Sequence, residues 1–392
     1  MTRIYMDNAA TTMVDPLVVE EMLPFLTQRY GNASSLHAPG QEAREAVQNA
    51  RAKIASFIGA SPAEIVFTGS GTEANNLAVK GVAFANRNRG SNLIVSSIEH
   101  DCIVSSCRWL EKQGFTVTYL PVDGDGLVDP DDVRKAIRPD TLMVSVMHAN
   151  NEIGTLEPIR AIGQVCRERG VIFHTDACQS FGKIPLNVDD HSLDLATLNA
   201  HKIYGPKGVG ALYVRSGVTI EALQHGGGQE RGLRSATENV PGIVGFARAA
   251  ELCIASMGEE SRRLAGFRDR IIDETMNAIP SAYLNGHRVK RLANNVNLGF
   301  SGCENDAIRL LLLLNDKGFA VSTGSACSSN TTGPSHVLTA IGLDPLQARG
   351  SLRISLGRFT TEQEVKSLID ILPRVVGSLR SLSPIAEGRS SI

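Results

Sequence analysis

The stretch NAHKIYGPKG, Asn199 to Gly208, decides the reading of this chain, and Lys202 stands near its centre. It follows the apolar run DLATL (Asp194 to Leu198). Lys202 lies 26 positions after Asp176, the carboxylate of HTDACQ (His174 to Gln179), which itself closes the run VIFH (Val171 to His174). Working outward, short β-rich runs recur at IVF (65–67), LIVSS (93–97), TVTYL (116–120), LMVSVM (142–147) and ALYV (211–214), with helical stretches between most of them. Such alternation predicts an α/β fold, a mainly parallel seven-stranded sheet flanked by helices. Gly205 to Gly210 is only a short connection, so a hairpin there makes one strand pair antiparallel. In a parallel sheet the strand ends meet at one edge, where α/β proteins place their ligands.

With 392 residues the chain has the length of about two domains, and at 42% hydrophobic it can bury a large core. The boundary is expected near residue 260. Residues 13–260 form the large unit; residues 1–12 and 261–392 form a smaller α/β unit with strands at 294–300, 319–322 and 352–356. Leu264, Phe267, Ile271, Thr275 and Ile279 lie on one helical face. Gly258 is expected to break or bend that helix, and Pro280 to end it. A formal net charge of −2 gives no general pull toward nucleic acid or anionic membranes, so direct nucleic-acid binding is not expected. The amino terminus lacks an apolar core of signal-peptide length, and the leucine run 310–314 is too short to cross a bilayer. These features read as a cytoplasmic protein with no membrane partner. Seven cysteines form no CxxC pair and no metal-ligand spacing. Six lie in or beside apolar or helical segments as ordinary buried thiols. The seventh, Cys327, lies in STGSACSSNTTGP (322–334), whose composition predicts a surface loop.

Several side chains converge on the predicted sheet edge. TGSGTEANN (Thr68 to Asn76) follows a strand and opens a helix expected to end near Gly90. Ser70 and Glu73 have capping-box spacing, and Gly71 and Thr72 at the helix start suit a phosphate. His100 ends IEH after the next strand. Asn151 lies in HANNEIG and Gln179 follows Asp176 by three positions. Thr72, His100, Asn151, Asp176 and Lys202 thus follow five different strands in one orientation. A lysine facing an aspartate there is what pyridoxal phosphate (PLP) requires: the amine forms a Schiff base, and the carboxylate keeps the pyridine nitrogen protonated. An imidazole such as His100 can stack on the ring and move protons. Arg353, in SLRISLGRF, can clamp a substrate carboxylate.

With these residues assembled, the chain resembles the cysteine desulfurases of the NifS/IscS-like group. The motifs run end to end: DNAATT (7–12), GSGTEANN, IEH, NNEIG, HTDACQ, AHKIYGPKG, GGGQERGLRSAT (226–237), GSAC (324–327) and SLRISLGRFT. The resemblance implies a fold-type-I PLP enzyme, a homodimer that turns L-cysteine into L-alanine and leaves sulfur as a persulfide on Cys327, from which an acceptor protein takes it. It implies Lys202 as the Schiff-base lysine, Asp176 at the ring nitrogen, His100 stacked on the ring, and Asn151 and Gln179 at the ring oxygen. Gly71, Thr72 and His201 would hold the phosphate, with Thr237 reaching over from the other subunit, and Arg353 the substrate carboxylate. This chain departs from its relatives at three places. Asn199 stands where many have serine, a substitute phosphate ligand. Ala236 replaces a glycine, and the carboxyl-terminal LSPIAEGRSSI is unlike the longer tail that docks an iron–sulfur scaffold. Two other readings are a selenocysteine lyase or another PLP enzyme of this fold, and a non-catalytic sulfur-carrier scaffold.

Overall fold

In chain order the strands are β1 (Ile4–Tyr5), β2 (Ile65–Thr68), β3 (Asn92–Ser96), β4 (Thr116–Leu120), β5 (Thr141–Ser145), β6 (Ile172–Asp176), β7 (Leu195–Asn199), β8 (Gly210–Val214), β9 (Ala282–Leu284), β10 (Asn295–Phe300), β11 (Phe319–Ala320) and β12 (Leu352–Ser355). The helices are α1 (Pro16–Thr27), α2 (Ala38–Phe57), α3 (Gly71–Ala85), α4 (Asp101–Glu111), α5 (Pro130–Ala136), α6 (Ile159–Arg169), α7 (Val240–Ala278), α8 (Ala307–Asp316), α9 (His336–Ala340) and α10 (Glu362–Leu382). This computed structural model describes residues 3–323 and 333–382.

Strands β2 to β8 form the expected seven-stranded sheet, in the order β2-β8-β7-β6-β5-β3-β4. Their side chains alternate between two apolar layers. Ile94, Val144, Phe173, Ala196 and Tyr213 face the first core, while Leu93, Val95, Met143, Leu195 and Leu212 face an apolar layer on the opposite side of the sheet. That period of two, with both faces covered, is why these strands read as continuous apolar runs. The pairs β3/β4, β3/β5, β5/β6 and β6/β7 are parallel. The expected hairpin also forms: β8 is antiparallel to both β7 and β2. All strands but β8 therefore point one way, and their carboxyl ends share one edge.

A second core gathers Leu264, Ile271 and Ile272 of α7 with Leu298, Leu310, Leu352, Ile354 and Leu368, and it includes Met6. Its sheet runs β12-β10-β9, all antiparallel, and β1 pairs in parallel with β11.

Two helical expectations need correction. Helix α7 runs unbroken through Gly258 for 39 residues. An interior glycine costs only about 1 kcal/mol relative to alanine. Here both halves of the helix are held by packing, Ile243 to Cys253 in the first core and Leu264 to Thr275 around the second. It stops at Ala278, ahead of Pro280 as expected. Part of α7 is long and apolar enough to cross a membrane, but 56% of that part is buried inside the protein, as in a core helix. Helix α3 stops at Ala85, short of Gly90, because Asn86 caps it: its Nδ2 donates to the carbonyls of Val82 and Thr219.

Candidate active site

A cavity of about 330 Å³ opens at the carboxyl edge of the large sheet. Gly71, Thr72, His100, Asn151, Asp176, Gln179, Asn199, His201, Lys202 and Arg353 all line it. The structure thus brings together ten of the residues singled out from sequence. Thr237 is exposed and outside this cavity, at a position the resemblance assigns to a neighbouring subunit. Cys327 and the carboxyl-terminal segment 383–392 lie outside the described residues.

Each strand end positions its side chain locally. Helix α3 begins directly after β2, with Ser70 as its cap: Ser70 Oγ accepts from the Glu73 amide at 3.1 Å. The capping box is not reciprocal, however. Glu73 Oε2 accepts from the amide of Gly69 rather than Ser70, at 2.8 Å, because Arg234 Nε donates to the same carboxylate at 2.7 Å and holds it there. The first-turn amides of Gly71 and Thr72 have no intrahelical acceptor and mark the positive end of the helix. Gly71 makes room for Cys178: a Cβ there would lie 2.6 Å from Cys178 Sγ, and that side chain would have to move.

Asp176 ends β6 with 5% of its surface exposed. Its Oδ2 accepts from Asn75 Nδ2 at 2.7 Å and its Oδ1 from the Cys178 amide at 2.9 Å. Lys202 lies in the turn after β7 and donates from Nζ to the carbonyls of Ala9 and Ala10, the latter at 2.6 Å. Beside it His201 Nδ1 meets Thr11 Oγ1 at 3.1 Å. Burial, then the charges of Lys202, Lys207 and Lys183, pushes the His201 pKa down to about 4, so its ring is neutral at physiological pH. Gln179 Nε2 donates to the Ala9 carbonyl at 2.9 Å, and Lys183 Nζ donates to Gln179 Oε1 at 3.4 Å. Burial, then Lys202, lowers the Lys183 pKa to about 8.

On the opposite wall Arg353 of β12 is 2% exposed. Its Nη2 donates to Asp7 Oδ1 and its Nη1 to the Asn151 carbonyl, both at 3.0 Å. Burial raises the Asp7 pKa while Arg353 pulls it back.

The donor set fits a phosphorylated pyridine. Asn199 is 4% exposed and its Nδ2 faces Gly71 at the helix start, which sets an amide donor beside the free first-turn amides of α3. A buried carboxylate across the same cavity supplies what a protonated ring nitrogen needs.

Four contributors escaped sequence reasoning. Asp7, Ala9 and Ala10 belong to the quoted DNAATT, which showed no chemistry because two of them act through backbone carbonyls. Asn75 was visible in TGSGTEANN: on α3 it falls one helical turn beyond Gly71. Cys102 and Cys178, read as ordinary buried thiols, both line the cavity, so that expectation is corrected.

A lysine and an aspartate held at the edge of such a sheet, beside a helix start, are the working parts of a PLP enzyme. The family described as aminotransferase class-V matches residues 4–368, and the chain belongs to it. It is 51% identical over 382 residues to a cysteine desulfurase IscS from Methanosarcina thermophila, a match spanning 97% of this chain and 94% of that one. A solved NifS-like protein superposes with a TM-score of 0.90 at 38% identity, covering 96% of this chain and all of the other. A structure of SspA in complex with cysteine does so with a TM-score of 0.80 at 40% identity, covering 92% of this chain. Within the class, then, the chain is a NifS/IscS-like cysteine desulfurase, dependent on PLP.

Proposed function

We propose that this cavity holds PLP on Lys202, takes L-cysteine as substrate, and releases L-alanine after sulfur passes to Cys327 as a persulfide. The convergence of Lys202, Asp176, His100, Asn199 and the α3 start in one cavity carries this reading. Bound PLP supplies an electron sink for the pair left when a bond at the substrate α-carbon breaks.

The chain's own groups do the rest. Gly71, Thr72, Asn199 and neutral His201 would receive the phosphate, as donors at the positive end of a helix. Asn151 and Gln179 would face the ring oxygen, and Asp176 would hold the ring-nitrogen proton. Arg353 binds the substrate carboxylate. The two carbonyls that grip Lys202 Nζ hold the amine at the cavity, where it takes and returns the proton at the substrate α-carbon. His100 moves a second proton. Cys327 Sγ bonds to the substrate sulfur as that sulfur leaves carbon; the carbon keeps the bonding pair and is protonated to give alanine.

The reading extends to a cytoplasmic homodimer in which Thr237 serves the neighbouring site, and to residue 260 as the division between two units. The sulfur goes on to an acceptor protein for iron–sulfur assembly or thiolation of nucleic acid, with no direct nucleic-acid contact by this chain. Borohydride reduction of the holoenzyme, digestion and mass spectrometry test it: a pyridoxyl mass is expected on the peptide carrying Lys202. Its appearance on another peptide, or on none, sinks the reading. Cys327→Ala is expected to keep bound cofactor yet release no sulfide from cysteine with reductant.

A further inference from the structure

Along the cavity wall a hydrogen-bonded chain joins the residues assigned to the face and to the nitrogen of the cofactor ring. Asn75 Nδ2 donates to Asp176 Oδ2 at 2.7 Å and to Cys102 Sγ at 3.2 Å. Cys102 Sγ in turn lies 3.1 Å from His100 Nδ1. The carboxylate at one end and the α4 cap at the other orient the hydrogens along this path. A flipped Asn75 would press its carbonyl against Asp176, so the amide nitrogen must face the acid; the cost shows in Asn75 Oδ1, which is buried without a partner. Asn75 donates into the sulfur, which leaves the thiol hydrogen free to turn onto His100 Nδ1. That nitrogen already accepts from the Cys102 amide at 3.2 Å, as the cap of α4.

We propose that Cys102 is a positioning residue that, with Asn75, couples His100 to Asp176 and fixes the neutral imidazole with its proton on Nε2. Nδ1 receives two donors from one residue and holds no proton of its own. Nε2 is then the nitrogen that carries the mobile proton. A proton on Nδ1 would face both the thiol and the amide of Cys102 and would cost the α4 cap. This deepens the reading of the cavity as a PLP site in which His100 moves a proton, and rests on it.

The test uses protein labelled with 15N-histidine, with His100→Gln supplying the assignment. The wild-type ring is expected as the Nε2–H tautomer. Cys102→Ala keeps the backbone cap but loses the thiol, so mixed tautomer populations are expected. A fall in kcat of about fivefold at unchanged KM for cysteine should accompany them, the scale of one hydrogen bond. Cys102→Ser, which restores a donor, should return kcat to within about twofold and the ring shifts to the wild-type pattern. A wild-type His100 protonated on Nδ1 overturns the proposal; so does a Cys102→Ala enzyme with unaltered ring shifts and full kcat. The wild-type spectrum decides the tautomer even if Cys102→Ala does not fold. Full turnover by His100→Gln would instead strike the underlying functional reading, while the tautomer result would stand by itself.

Discussion

The large sheet and the second core reach the same cavity by different routes. From the sheet, His100, Asn151, Asp176 and Lys202 arrive at or just beyond the carboxyl ends of β3, β5, β6 and β7, which are neighbours in the order β7-β6-β5-β3. Each position follows from its own strand and the turn after it. From the second core comes Arg353, in the interior of β12. It is set by antiparallel pairing with Asn297 on β10 and by an ion pair with Asp7, 346 positions away in sequence. The first route is local and places charge at an edge open to a ligand. The second depends on distant chain and buries a cation that needs a carboxylate beside it. On the proposed reading the sheet edge would supply the chemistry, and the second core the grip on substrate.

If that division holds, changes at the sheet edge should strike kcat. Lys202→Ala should have the largest effect, at least about 10³-fold in alanine formed from L-cysteine, because the proposed reading makes the group both attachment point and base. Retention of turnover in that variant would break the comparison outright. Asp176→Ala comes next, with kcat down by about 10²- to 10³-fold, the usual effect of removing one preorganised electrostatic group. It should still bind some cofactor, read by visible absorbance, since the phosphate-side donors are untouched.

Changes in the second core should move KM instead. Arg353→Ala is expected to raise KM for cysteine by roughly tenfold to a hundredfold, with kcat much less affected. The same variant strands Asp7 in a partly buried position, a loss of about 3 kcal/mol in stability by urea unfolding. Adding Asp7→Asn should recover part of that stability but none of the KM. A double variant that restores both would show that Arg353 serves the fold alone.

What the sequence disclosed follows the same division. The seven strands, the β7–β8 hairpin and the edge residues were legible because each depends on a run of about five residues and the turn after it. The grip of Ala9 and Ala10 on Lys202 was not, because backbone carbonyls leave no mark in residue types. Nor was the Arg353–Asp7 pair, which needs the register of β12 against β10. The uninterrupted α7 was misread for a related reason: a glycine weighs on local propensity, while the packing of two cores on one helix is invisible in a window around it. The pocket thiols Cys102 and Cys178 looked ordinary because each adjoins an apolar run and only the closing of the sheet edge turns it toward the ligand.

The smallest effect expected lies where the two routes meet. Glu152 is buried next to Asn151; its Oε2 accepts from Ser335 Oγ at 2.6 Å and its carbonyl from Asn297 Nδ2 at 3.1 Å. Burial pushes its pKa up to about 7, against the pull of Ser335 and Arg353. Because the folded value is raised, the stability it contributes is complete below the ordinary carboxylate range and is lost as pH rises toward 7. Glu99 and Glu157, pushed by burial to about 8, act in the same direction. His148 and His174, lowered by burial to about 3 and about 4, act in the opposite one: their contribution is complete above about pH 6.5 and lost as pH falls. His201, lowered to about 4, joins the histidines. The two sets offset each other between about pH 4.5 and 6.5; above that the three acids outweigh Lys183, whose value, lowered to about 8, acts in the opposite direction. Tm should therefore fall from pH 6.5 to 8. Glu152→Gln keeps an acceptor for Ser335 and removes one titration, so its Tm should exceed that of the parent above pH 7, by about 1 kcal/mol in stability, and match it more closely near pH 5. Parallel Tm curves for the two proteins would mean that Glu152 is already ionised in the fold, and that the seam between the sheet edge and the second core is held by a charge rather than by a neutral acid.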